Sequence, residues 1–556
     1  MSEETQATTA PSSPTYNERA QEHDYLTGLK LFVILGSLTL VTFLVLLDTS
    51  IMGTAIPRIT TEFHSLSDVG WYVGAYTLAS ATLQPLSGKF YTHFNTKIIF
   101  LAFVFTFELG SLVCGVANSS AVLIVGRAIA GLGAAGIING AVTILSGAVP
   151  REKSPLYTGL LIGIAQMGIV LGPLLGGVLT ERATWRWCFY INIPIGCVAA
   201  FILVMIRIPE VTKKAPFSIA LIRKVIPDLD LIGFALFLPA AIMFLLALQF
   251  GSGNSFSWNS GTVIGLFCGA GVLAIIFILW ERRAGDKAML PGYLLRRRVI
   301  WTSCVFAACI MCCIIVASNW VPTYFQAVKG NGPSMSGVHV LPSILGQLLF
   351  VVVSGAAVSR MGYYLPWALF SGIVTAIGNG LLSTFTASTS VATWIGYQIV
   401  LGVGRGGGLQ MAMIAVQNAV LPSEYPVAIA NQIFFQNLGT SIAIVICNTI
   451  FAQTLISTIP RYAPSVSPQA ALEAGSGAGA VRALVPAGHK DELDGVLRAY
   501  SESLRNVFYF LVGIASLMAV ASLGMGWKDV SKKVDKKTGD VVIEEKLVQG
   551  KEVGEA

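Results

Sequence analysis

The sequence predicts an all-α polytopic membrane protein: two six-helix bundles plus two extra spans, fourteen transmembrane helices in all. Three observations carry that expectation. Hydrophobic residues make up 54% of the 556 and charged residues only 12%, about half the ~25% charge of a soluble domain. Apolar runs of about 20 residues, the length that crosses a bilayer, recur along the whole chain. Short motifs of the first half return in the second at an offset near 270 residues.

The runs fall near 30–52, 69–87, 98–116, 121–146, 158–180, 188–207, 230–250, 260–280, 299–321, 337–357, 366–387, 392–419, 428–455 and 506–526. They divide the chain into a polar N-terminus (1–29), an N-terminal bundle (30–207), a linker holding spans seven and eight (208–298), and a C-terminal bundle (299–526). That last bundle includes a long outside loop near 456–505. A Lys/Glu-rich tail (527–556) follows, and the composition of both ends predicts disorder. No cleavable signal peptide precedes span one, which is therefore expected to be an anchor itself.

Lys89, Lys97, Arg151, Arg207, Lys214, Arg282, Arg297 and Arg360 fall on one side, whereas Arg58, Arg182, Arg186 and Lys329 are the few on the other. The full ratio is roughly four to one, which places both termini in the cytosol. The net charge of +7 thus reports orientation in the lipid bilayer, and no nucleic-acid partner is expected. Asn118-Ser119-Ser120 is a glycosylation sequon on an outside loop. His489-Lys490-Asp491-Glu492-Leu493 has the letters of a retrieval signal but is internal, so it is not read as one. The nine cysteines lie mostly within apolar runs, and Cys309, Cys312 and Cys313 have no nearby His or acid. They read as small apolar filling, with no metal and no cofactor expected.

Gly131-Leu-Gly133-Ala-Ala-Gly136 and Gly402-Val-Gly404-Arg-Gly-Gly407 both match GxGxxG. Neither follows a strand or precedes an acid in a βαβ unit, so neither reads as a dinucleotide site. Their meaning is repetition. Ala148-Val149-Pro150-Arg151-Glu152 returns as Val420-Leu421-Pro422-Ser423-Glu424, and Ser87-Gly88 returns as Ser354-Gly355. Parallel repeats of this kind build transporters that rock about a central site. Spans seven and eight have no counterpart and read as an inserted hairpin.

Span five carries a glycine lattice: Gly159, Gly168, Gly172-Pro173 and Gly176-Gly177. Gly168, Gly172 and Gly176 are four apart, so they share one face and admit another helix to backbone contact. Pro173 removes a donor and crowds the carbonyl of Ile169, which predicts a bend. The counterpart in the second half, Asn431 to Gly439, keeps Gln436 and Gly439 but lacks Gly-Pro. The lattice is thus expected to be a one-sided hinge or seal.

These residues resemble the major facilitator superfamily, and within it the fourteen-span drug:proton antiporters, over about residues 30–526. The lattice matches that family's antiporter motif at every glycine and the proline. Leu47-Asp48-Thr49-Ser50-Ile51 through Ala55-Ile56-Pro57 matches its first-span motif, with Gly53 where asparagine is common. Arg127 with Gly131 and Gly133 matches the fourth-span arginine motif, with Ala130 where glutamine is usual. Trp185-Arg186-Trp187 and Asn192-Ile193-Pro194 look like the start of span six, and the long loop before the last span is similar to that of fungal toxin and secondary-metabolite pumps. One motif departs. After Gly88 the family's acid, arginine and glycine are replaced by Thr92, His93 and Asn95, and the second copy has Ser359, Arg360 and Gly362. The usual charged latch on the inward gate cannot form there.

Ionisable groups inside spans are few, and each costs roughly 3 kcal/mol at mid-membrane. Asp48 is expected to couple protons or cargo, or else to join a helix-end network with Thr49 and Ser50. Glu108, halfway through span three, either titrates or stays protonated against a neighbouring helix. For Arg127 the resemblance implies proton exchange with a nearby acid; the alternative is a fixed packing arginine. Arg405 either faces a cavity or meets Asp48 or Glu108 across it. Gln410, Gln417, Asn431, Gln432 and Gln436 are candidates to line a cavity for a neutral or zwitterionic, oxygen-rich molecule, or to bond between helices. Trp71, Tyr72, Tyr76, Trp320, Tyr324 and Phe325 read as an aromatic belt.

No G-x-x-x-x-G-K-[ST] loop is present, so an ion gradient must supply the energy. The resemblance implies no enzyme but a monomeric plasma-membrane pump that exports a small hydrophobic toxin, metabolite or drug in exchange for protons. The alternative is a fourteen-span siderophore or vacuolar basic amino acid transporter.

Overall fold

The computed structural model describes residues 25–63, 68–210, 214, 223, 225–252, 257–475, 478–485, 492–527 and 529. Residues 1–24, the retrieval-like letters 489–491 and the tail from 530 onward lie outside the described residues. Among the described residues, fourteen long helices run in order: α1 Gly28–Phe63, α2 Val69–His93, α3 Thr96–Gly115, α4 Ser120–Ala148, α5 Ser154–Arg182, α6 Trp187–Met205, α7 Leu231–Ser252, α8 Gly261–Ala284, α9 Arg298–Val328, α10 Pro333–Met361, α11 Leu365–Leu382, α12 Val391–Ala419, α13 Tyr425–Tyr462 and α14 Leu493–Gly524. Several begin where a side chain can take an otherwise orphaned backbone N–H. Asn95 accepts from Ile98, Ser119 from Val122, Ser260 from Val263 and Ser390 from Thr393.

Thirteen of these helices are long and apolar enough to cross a membrane. The exception is α2, 25 residues long, where Thr77, Ser80, Thr82, Gln84, Ser87 and Lys89 dilute the apolar run. Most of these face protein: Thr82, Gln84, Ser87 and Lys89 are buried, Ser80 is half-buried and Thr77 is exposed. The long loop expected near 456–505 is also shorter than its composition suggested. α13 continues to Tyr462, α14 begins at Leu493, and two short helices, Pro468–Glu473 and Ala478–Ala483, lie between. Both extensions bury an apolar face, through Leu455 and Ile459 on α13 and Leu497 and Tyr500 on α14. The Tyr500 hydroxyl donates to the carbonyls of Ala471 and Gly475 at 2.7 and 2.9 Å, tying down the loop.

The duplicated motifs make duplicated contacts. A Cβ on Gly131 would strike the Tyr76 carbonyl on α2, and one on Gly402 would strike the Ser343 carbonyl on α10. Gly133 lies as tightly against Phe107 on α3 as Gly404 does against Thr375 on α11. The GxGxxG letters are therefore helix-packing glycines, which fits their rejection as a nucleotide loop.

The start of α1 and the end of α14 lie on one face, the terminal face. There Leu26 donates to the Ala148 carbonyl at 3.0 Å, and the Tyr364 hydroxyl donates to the Met525 carbonyl at 2.8 Å.

Candidate functional site

The charged residues of the first half converge. Arg127 Nη1 and Asp48 Oδ2 form an ion pair of 2.6 Å, with side chains 1% and 0% exposed. α4 delivers the arginine and α1 the aspartate. Further hydrogen bonds surround the pair: Arg127 Nε donates to the Tyr72 carbonyl at 2.9 Å, and Asn192 Nδ2 donates to Asp48 Oδ1 at 3.4 Å and to Ser111 Oγ at 3.1 Å. The guanidinium also lies 4.4 Å from the Tyr76 ring centre, a cation–π contact. Tyr72 and Tyr76 are thus not belt residues. Both are buried and wall the ion pair, because their helix face turns toward α4. Tyr324 and Phe325 are buried as well, in an aromatic cluster with Phe385 and Trp394.

Glu108 lies one turn from Ser111 on α3, packed against Gly196 of α6, itself one turn beyond Asn192. Neither of its carboxyl oxygens has a hydrogen-bond partner among the described residues. The α3–α6 contact thus sets an unpartnered acid one helical turn from the Asp48–Arg127–Asn192 cluster. Asn192 had been legible only as a motif letter; its role as the bridge between Asp48 and Ser111 needed the fold.

The lattice on α5 divides into two contacts and one vacancy. A Cβ on Gly168 would lie 2.6 Å from the Phe43 carbonyl and 2.8 Å from Leu47 N, and one on Gly172 would lie 2.7 Å from Ser50 Cβ. Gly176 continues the seam against Ile51 and Thr54. Gly159 instead meets Val351 and Gln410 of the other half. Gly177 has nothing within 4 Å and belongs to neither contact. α5 runs unbroken through Pro173, and the Ile169 carbonyl that the proline frees accepts a hydrogen bond from Ser50 Oγ at 2.5 Å.

On the terminal face the two halves touch through a pair of related contacts. Gly88 of α2 sits against the Pro426 carbonyl of α13, and Gly355 of α10 sits against the Pro155 carbonyl of α5, each 2.7 Å from an added Cβ. Ser154 donates to Gln417 at 3.0 Å, and Gln410 Nε2 donates to the Val351 carbonyl at 3.0 Å. Gln410 and Gln417 therefore lie in closed inter-helix contacts. Asn431 and Gln432 are buried, with side-chain polar atoms lacking partners among the described residues, and Gln436 is half-buried on the same helix. Arg405, 3% exposed, meets neither Asp48 nor Glu108. Its Nε and Nη2 have no partner among the described residues.

The opposite face is fastened by Glu62 at the end of α1. It accepts from Trp185 Nε1 at 2.6 Å and pairs with Arg186 at 2.9 Å. The Trp185 bond first, and then Arg186, hold the carboxyl below its ordinary value of 4.5. A carboxyl held low in the folded state stabilises it above that ordinary value and ceases to as pH falls through the lower folded value. Thermal stability should therefore decline as pH drops below 4.5, and Glu62→Gln should remove that share of the decline. The effect is small because the Glu62 side chain is 45% exposed. Asn118, in the loop between α3 and α4, is exposed.

Two repeated helical halves that meet at tight contacts, with a buried ion pair in one of them, define a membrane transporter rather than an enzyme. The Major Facilitator Superfamily pattern matches residues 38–444, and the chain belongs to that superfamily. Its relatives include the MFS-type transporter calB of Penicillium decumbens, 55% identical over 94% of this chain and 93% of that protein. The MFS-type transporter pigP of Monascus ruber is 54% identical over 94% and 89%, and the efflux pump mlcE of Penicillium citrinum is 46% identical over 94% of each. Among solved structures, a double-tryptophan mutant of XylE aligns with a TM-score of 0.55 at 13% identity, covering 90% of this chain and 96% of that one. The human organic anion transporter MFSD10 aligns at 0.52 and 10%, covering 87% and 99%. These two show the shared fold.

Proposed function

We propose that the chain is a proton-driven exporter of a small hydrophobic organic compound, such as a toxin, secondary metabolite or drug, working as a monomer by alternating access. The observation that carries this reading is the buried Asp48–Arg127 pair with the unpartnered Glu108 one turn away. A buried ion pair is held by its own attraction, so neutralising Asp48 would release Arg127. Glu108 offers a second place for the proton. Relatives named as efflux pumps support the outward direction. The charge bias of the loops supports cytosolic termini, which makes the terminal face the inner one, and export from the cell implies the plasma membrane. Gly88–Pro426, Gly355–Pro155 and Ser154–Gln417 are then the inner gate. Asn431, Gln432, Gln436 and Arg405 are the side chains offered to cargo once the halves move.

The energetics suffice. One proton entering down about 100 mV and one pH unit releases roughly 3.7 kcal/mol, enough for about a 500-fold gradient of a neutral cargo. Deleting the gene and comparing metabolites inside and outside the cells tests the reading. The cargo should accumulate inside, and unchanged partition of every metabolite would sink it. Glu108→Gln preserves shape and removes a titratable group, so export should persist with an altered dependence on external pH. An unaltered pH profile assigns Glu108 a packing role only.

A further inference from the structure

The inserted hairpin, α7 and α8, has no counterpart in the repeat, and its base is an unusually charged knot. Lys89, 4% exposed, is the residue after the gate glycine Gly88. Its ammonium donates to the Asp228 carbonyl at 2.7 Å and to the Lys287 carbonyl at 2.5 Å. Those carbonyls flank the hairpin on its two sides, and Lys287 pairs with Asp228 at 2.9 Å. Asp230, in a left-handed turn at φ 51°, accepts from Gly233 N, Trp280 Nε1 and Met289 N at 2.8–3.0 Å. Glu281 accepts from Met289 N and Leu290 N at 3.2 and 2.9 Å. Every charged group of the knot thus has a partner, and the knot is tied to α2.

The hairpin touches the two halves unequally. Along α2 it is held at four levels: by Lys89, by Val225 and Leu229 against Leu86 and Phe94, by Leu245 against Leu78 and Ala81, and by Phe250 against Trp71 at 6.2 Å. Toward α13 the contact is apolar and aromatic. Phe237 meets Phe434 edge-on at 5.2 Å, and Phe435 and Leu438 pack nearby. Apolar faces have no directional bonds to break, so they can separate or slide where a buried ammonium on two carbonyls cannot.

From this asymmetry we infer that the hairpin is a strap fixed to the N-terminal half through Lys89, which covers the α2–α13 seam and replaces the charged latch that Thr92, His93 and Asn95 cannot form. Lys89 is a positioning residue: it sets α2, and through Gly88 the contact with Pro426. The inference rests on alternating access between the halves.

Spin-label distances in lipid nanodiscs test it, with the exposed Cys197 and Cys268 replaced by serine. Three label pairs are compared at acidic and alkaline pH. Ala81→Cys with Leu245→Cys reports the strap against α2, Phe237→Cys with Phe434→Cys reports it against α13, and Thr92→Cys with Ser423→Cys reports the gate itself. The gate pair and the 237–434 pair should each show two distances, and the 81–245 pair one. Lys89→Met should widen the 81–245 distribution and Lys89→Arg should restore it. Two distances for 81–245, or one for 237–434 while the gate pair moves, overturns the strap. An unchanged 81–245 distribution in Lys89→Met removes Lys89 from it. A gate pair that stays still overturns alternating access, and the strap with it.

Discussion

Asp48→Asn should abolish export and destabilise the protein by about 3–5 kcal/mol, the cost of leaving a buried charge without its partner. Arg127 is 1% exposed and cannot shed its proton as a remedy. It keeps the Tyr72 carbonyl and the Tyr76 and Phe189 rings. Arg127→Met should stop export too but cost less stability, because the stranded Asp48 can take up a proton and become neutral. The double variant Asp48→Asn with Arg127→Met should melt closer to the parent than Asp48→Asn alone while remaining inactive. Melting followed by tryptophan fluorescence in detergent, beside export at matched protein level, checks all three. An Asp48→Asn protein that melts and exports like the parent would remove the pair from the mechanism.

Gly172→Val should be the second large effect. A Cβ there already lies 2.7 Å from Ser50 Cβ and 2.9 Å from Ile51 N, so the added methyls must force α5 away from α1. Overpacking of this kind costs about 1–3 kcal/mol. It also moves Ser50 off the Ile169 carbonyl, and an orphaned buried carbonyl costs about 1–3 kcal/mol. Gly168→Val should behave similarly. Gly177→Ala, with nothing within 4 Å, should export like the parent although it alters the same motif. Equal loss from Gly172→Val and Gly177→Ala would mean that the motif acts otherwise than through the α1–α5 seam.

The contrast between Gly172 and Gly177 shows what one dimension conveys. Span length and small-residue spacing are linear properties, so the fold class and the close-packed face of Gly168, Gly172 and Gly176 were legible. Which way a side chain turns within a bundle is not linear. Tyr72 and Tyr76 look like interfacial aromatics by position, yet their helix face meets α4 and encloses Arg127. Gln410 and Gln417 were visible as amides in an apolar run, but only the crossing of α12 with α10 and α5 places them in inter-helix contacts. α2 fails as an apolar span because of polar residues such as Gln84, Ser87 and Lys89 that are buried against protein, which hydropathy alone reads as weakness. Asn192 gave no signal beyond a motif letter, since a bridge needs both of its ends in view.

The most direct test of the proton-coupled reading is cargo accumulation in inside-out membrane vesicles, using the metabolite that the deletion identifies, with and without an inside-acid pH gradient. The parent should accumulate cargo only while the gradient stands and release it when a protonophore collapses the gradient, and Asp48→Asn should not accumulate it at all. Accumulation that ignores the gradient, or an Asp48→Asn protein that matches the parent, would contradict it.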